Sequence, residues 1–160
     1  MNKRYKEQIE EFIYRGQKTP FGIGTIVVCF LCLLFLIVAT FTQINVAHIW
    51  TVYDNAGNLV FENVTHPYVA QIPVVIFIAA LLGPGYALVV MLMYLITGFF
   101  IWPVFALGGG LAYIKSGLFG FILGYIFAVI PTGKILEKKY NLKSIILASL
   151  IGVICIHLCG

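Results

Sequence analysis

From residue 63 to residue 114 the chain carries no Asp, Glu, Lys or Arg, and apolar side chains fill most of those positions. A helix rises about 1.5 Å per residue, so the ~30 Å hydrocarbon core of a bilayer is crossed by about 20 residues. The run therefore has room for two spans and a turn. Gly83-Pro84-Gly85 supplies the turn, Pro103 stops the returning span, and Pro73 permits a kinked entry into the short apolar segment 69–82. Further towards the N-terminus, residues 23–42 form another uncharged stretch in which thirteen positions are Leu, Ile, Val or Phe. Together these thirteen contribute roughly −4 to −8 kcal/mol to membrane insertion. The pattern predicts an all-α membrane protein, a polytopic helical bundle with five spans at about 23–42, 69–83, 86–102, 117–133 and 144–160.

The polar stretches place those spans. Residues 1–22 carry Lys3, Arg4, Lys6, Arg15 and Lys18, and residues 133–143 carry four lysines against one glutamate. Positive loops stay in the cytoplasm. With both segments inside, an even number of spans must separate them, and four do. Nine of the ten basic residues then lie on the cytoplasmic side, with Lys115 outside. The N-terminus is thus expected in the cytoplasm, and residues 23–160 form a single transmembrane domain. Segment 43–70 falls outside. Its alternation of apolar and polar residues around Asn55-Ala56-Gly57-Asn58 predicts a small extracellular β-hairpin.

Composition agrees. The chain is 61% hydrophobic and 10% charged, against about 25% charged residues in globular proteins. The net charge of +4 comes from residues flanking apolar segments, which argues against a nucleic-acid surface. Cys29 and Cys32 have redox-motif spacing but lie within a span, away from the water a reactive thiolate needs. His157 is two positions from both Cys155 and Cys159, and residues two apart on a helix face different ways; His48 and His66 have no ligand cluster beside them, so no metal site or cofactor is expected. Catalytic signatures are absent too: there is no nucleophile elbow, paired intramembrane carboxylates, HExxH or Walker sequence, so an enzyme is not expected. Residues 103–117 contain Gly108-Gly109-Gly110, which cannot hold a regular helix in lipid. Irregular backbone at membrane depth lies where protein buries it or where it lines a cavity, and this loop is the first candidate for a ligand site. Gly117, Gly120 and Gly124 share a helix face and predict close helix packing.

Several separated motifs, in order, resemble the BioY family of biotin transporters. They are Gln71-Ile72-Pro73, Ala80 to Pro84, Tyr94-Leu95 with Gly98, Pro103 to Ala106 followed by Gly108 to Gly110, and Gly120 to Tyr125. The resemblance implies the S-component of an energy-coupling factor transporter in a prokaryotic cell membrane: a six-helix bundle that captures biotin from outside beneath the loops after its first and third helices. It also implies a transmembrane coupling subunit and two ABC-type ATPases as partners, which would hydrolyse the ATP. By the same resemblance Gln71, Tyr94, Phe105, Gly108, Gly109 and Gly110 fall near the ligand, and Lys115 is placed to attract the biotin carboxylate. The sequence departs from the family in three places. The sixth helix with its acidic and basic residues has no counterpart before Gly160, Ala106-Leu107-Gly108 replaces a family asparagine, and the first helix lacks an Ala-x-x-x-Ala pattern. An S-component for another vitamin and a non-transport membrane interaction protein are the alternative readings.

Overall fold

The structure, a computed structural model, describes residues 22–53, 59–106 and 108–160. The basic segment 1–21, the expected hairpin turn at 55–58 and Leu107 lie outside the described residues, as do most side chains of residues 43–69, His48 and His66 among them. The first helix, α1 (Ile23–Phe41), buries Cys29, Cys32, Leu33, Leu36, Ala39 and Thr40. These recur every three or four positions and so form one stripe. The opposite face keeps Ile26, Phe30, Leu34 and Val38 exposed, as a face turned to lipid would. Thr40 and Thr42 donate from Oγ1 to the carbonyls of Leu36 and Val38, each at 2.9 Å and each four residues earlier in the same helix. The chain then becomes extended and enters β1 (Gln43–Tyr53), which pairs antiparallel with β2 (Leu59–Val69) in a register running from Gln43 opposite Val69 to Tyr53 opposite Leu59.

The helix that follows, α2 (Gln71–Ile96), is interrupted at Gly83, with φ 72° and ψ 176°, directly before Pro84. Only glycine adopts that φ without strain. The interruption is a reversal. Gln71 Nε2 lies 2.8 Å from the Tyr94 hydroxyl, whereas an unbroken helix would hold those residues about 35 Å apart. The two arms of α2 thus lie side by side, with Gly83-Pro84 at their tip.

A π-helical turn, Thr97–Ile101, ends the second arm, and a 3-10 turn, Leu111–Lys115, interrupts the glycine loop. Then come α3 (Phe119–Lys138) and α4 (Leu142–Cys159). The span expected at 117–133 therefore runs five residues further. Gly133 is buried against Pro84 and Leu136 is 2% exposed, so packing carries the helix through what polarity alone marks as a loop. Asn141 then caps α4, its side chain accepting from the Ser144 amide at 2.8 Å. α4 buries only Ala148, Gly152 and Ile156, a stripe with a period of four, against α3.

Candidate functional site

Five elements converge on one polar cluster. Thr40 closes α1, Gln71 opens α2, Tyr94 ends its second arm, Val104 stands at the foot of the glycine loop, and Tyr125 lies one and a half turns into α3. Each of these side chains falls in register with its helix's buried face. Gln71 is 6% exposed, Thr40 2%, Tyr94 1% and Tyr125 4%. Nothing here is charged, so hydrogen bonding alone must offset the desolvation of these groups.

It does so through Gln71. Its Nε2 donates to Thr40 Oγ1 at 2.6 Å and to the Tyr94 hydroxyl at 2.8 Å, and its Oε1 accepts from the Tyr125 hydroxyl at 2.9 Å. An amide nitrogen only donates and an amide oxygen only accepts, so the direction of these bonds is determined. Thr40 passes its proton to the Leu36 carbonyl at 2.9 Å. Tyr94 shares its proton between the Val104 carbonyl at 3.3 Å and Thr40 Oγ1 at 3.1 Å. Among the described residues no buried side-chain nitrogen or oxygen lacks a partner.

An aromatic wall stands beside this cluster. Phe105, fully buried, packs edge-on against Tyr94 at 5.4 Å and Phe99 at 5.2 Å, and tilted against Tyr113 at 4.7 Å. Gly98 makes room for it, because a Cβ at that position would collide with the Phe105 ring. Burial pushes the Tyr113 phenol above its ordinary value, so it stays protonated and neutral at physiological pH.

The glycine loop folds flat onto the π turn. In that turn the Trp102 amide bonds to the Thr97 carbonyl at 2.8 Å, and the Gly98 carbonyl accepts from the Gly110 amide at 2.8 Å. Gly108 and Gly110 have φ of 121° and 80°, a region side chains rarely enter. A Cβ on Gly109 would stand 2.5 Å from Pro103 Cα. All three glycines are therefore required by backbone geometry or space.

The expected site residues thus fall into three places. Gln71, Tyr94 and Phe105 form one buried cluster, and the Gly108 amide bonds to the Phe105 carbonyl at 3.0 Å beside it. Gly109 and Gly110 line a groove of about 240 Å³ with residues 98–103. Lys115 is exposed at the end of the 3-10 turn. Gln71 and Tyr94 bond to each other at 2.8 Å, and the groove beside the loop includes neither of them.

Sequence reasoning missed Thr40 and Tyr125. The signal was present, since Thr40 continues the buried 29, 32, 33, 36 series and Tyr125 the 122, 125, 129, 132, 136 series. A polar group on the inward face of an apolar helix hydrogen-bonds to neighbouring elements. Near the end of α4 His157 bonds through Nδ1 to the Val153 carbonyl at 2.9 Å and faces Phe121 edge-on at 5.8 Å. Among the described residues no three His, Cys, Asp or Glu side chains gather as a metal site.

Four stretches among the described residues, Ile23–Phe41, Gln71–Ile101, Phe119–Lys138 and Leu142–Cys159, are long and apolar enough to cross a membrane. Packed around a buried polar cluster, they define a multi-pass helical membrane protein. The sequence profile of the BioY family matches residues 15–160, and the chain belongs to that family. It is similar to a probable biotin transporter BioY of Lysinibacillus sphaericus, with 31% identity over 93 residues, 57% of this chain and 47% of that protein. The match thus spans about half the length of the curated relative. Among solved structures, the 2.1 Å crystal structure of the S-component for biotin from an ECF-type ABC transporter has a TM-score of 0.64 and 21% identity, covering 84% of this chain and 67% of that one. At that identity the likeness concerns the fold.

Proposed function

We propose that the chain is the high-affinity biotin-binding membrane subunit, the S-component, of an energy-coupling factor transporter. It takes biotin from the outer face and hands it on through a transmembrane coupling subunit driven by two ABC-type ATPases, so the chain itself is a transport subunit and not an enzyme. The observation that carries this reading is the Gln71 cluster beside the Phe105 wall, in a chain of the BioY family. Biotin has a ureido group that needs donors and acceptors together, and an apolar ring. Gln71 offers both functions on one group, and the hydroxyls of Thr40, Tyr94 and Tyr125 exchange donor for acceptor by rotation. Phe105 offers the apolar face. Gly108, Gly109 and Gly110 let the loop backbone approach closely, and Lys115 draws the ligand carboxylate by charge. Since the amide of Gln71 is already bonded to its neighbours, ligand entry exchanges those bonds for bonds to the ureido group, at little net cost in hydrogen bonding.

The orientation follows from charge. The reversal at Gly83 divides the 31-residue stretch Gln71–Ile101 into two crossings and raises the count to five. The N-terminus and the Lys134 to Lys143 end then lie in the cytoplasm, with the β-hairpin and the glycine loop outside.

The experiment is equilibrium binding of labelled biotin to the purified full-length protein in detergent, with riboflavin and thiamin as comparators. Biotin alone should be retained. Retention of a different vitamin would reassign the ligand, and retention of none would leave a membrane interaction protein.

A further inference from the structure

The Gln71 cluster also sits at the feet of both large loops. Thr40 lies three residues before β1 begins and Gln71 two residues after β2 ends, so the hairpin is held at its base by the 2.6 Å bond between them. Gln71 continues to Tyr94, and Tyr94 to the carbonyl of Val104, where the glycine loop departs. Among the described residues the loop's backbone bonds include Gly108 N to Phe105 O at 3.0 Å, Gly110 N to Gly98 O at 2.8 Å and Tyr113 N to Gly110 O at 3.0 Å.

We infer that Thr40 is a positioning residue for the glycine loop: acting through Gln71 and Tyr94, it ties the base of the β-hairpin to the base of that loop, so that the two loosen together. None of the hydrogen bonds of Thr40 reaches the loop. They run to Leu36, Gln71 and Tyr94. The link is directional as well as continuous. Gln71 Nε2 gives one proton to each hydroxyl, so losing the Thr40 acceptor leaves a buried N–H without a partner. The amide then gains by rotating away from Tyr94, which in turn changes the hold of Tyr94 on Val104. A comparable buried hydroxyl, Thr132, bonds only to the Ala148 carbonyl at 3.2 Å and joins nothing further. This coupling does not depend on what the protein binds.

The test is amide hydrogen exchange on the full-length, ligand-free protein in detergent. Thr40→Val keeps the shape of the side chain and removes the hydroxyl, whereas Thr40→Ser keeps the hydroxyl. In the Val variant the amides of Gly108, Gly110 and Tyr113 should exchange roughly 5- to 10-fold faster, with the Ser variant near wild type and amides of 122–136 unchanged. Unchanged loop amides in Thr40→Val would overturn the coupling, and so would a uniform rise over the whole chain. Should Thr40→Val fail to fold, Tyr94→Phe reads the link from the other side. Faster exchange at Thr42 and at the first strand pairs supports it, and a change confined to residues 104–113 overturns it.

Discussion

Two faces of α3 are held by opposite means. On the face that carries Tyr125 the helix meets its neighbours through hydroxyls and an amide, in bonds that have partners to exchange. Towards α4 and the tip of α2 it meets them through missing side chains. A Cβ on Gly124 would stand 2.8 Å from Ile156 Cα, one on Gly133 would stand 2.5 Å from Pro84 N, and one on Gly120 would strike the Cys159 carbonyl. Lipid supplies no hydrophobic force between helices, so association depends on close contact or on polar bonds. The glycine seam has one arrangement, because backbone against backbone cannot rearrange. The polar cluster has several, because hydroxyls rotate. The proposed ligand site falls with the second, and the first gives it a fixed wall.

Breaking the seam should cost most. Gly133→Leu forces a branched side chain into the Pro84 backbone at the reversal; overpacking typically costs about 1–3 kcal/mol, and more where backbone cannot give way. The protein should lose its folded, monodisperse state, as read by size-exclusion chromatography and by denaturant titration in detergent. A variant that kept wild-type stability would mean that α3 and the α2 tip are not in contact.

Removing the centre of the polar cluster should cost less, and differently. Gln71→Leu removes the Oε1 that accepts from Tyr125 at 2.9 Å and takes a donor from both Thr40 and Tyr94. The expected loss is about 2–4 kcal/mol of stability, with biotin retention abolished where Gly133 variants that still fold would keep it. Tyr94→Phe is milder. It keeps the ring against Phe105 at 5.4 Å and removes one hydroxyl, for about 1 kcal/mol in stability, while biotin affinity should fall roughly 10-fold. Stability measured against ligand affinity thus separates seam from cluster.

Much of this contrast is legible in the sequence, and what is not has a physical reason. Glycine and proline announce the reversal at Gly83-Pro84 and the irregular loop, because few backbones accommodate Gly-Pro-Gly or three consecutive glycines otherwise. The extent of α3 is not legible, since Lys134 to Lys138 look like a loop until Gly133 and Leu136 are seen to be buried. Nor is the closure of the cluster. Thr40, Gln71, Tyr94 and Tyr125 lie up to 85 positions apart, and periodicity says which face each occupies but not that they share one point. Lys115 is the converse case. Its charge stands out in an uncharged region, and its side chain is exposed at the end of the 3-10 turn.

Lys115→Ala is therefore the smallest effect expected, and it sharpens the comparison from outside both regions. An exposed side chain on a 3-10 turn contributes within about 0.5 kcal/mol to stability, so denaturant midpoints should not move. A charge at the rim of a binding site acts on the approach of an ion more than on its residence. The association rate of biotin, measured by stopped-flow fluorescence from the protein's tryptophans, should fall a few-fold at low salt. Dissociation should stay as it was. At high ionic strength the difference should vanish, because the Debye length shrinks to about 3 Å at 1 M salt. A change in dissociation rate that persisted in high salt would place the ammonium in direct contact with bound ligand, and the boundary of the site would then extend to the 3-10 turn.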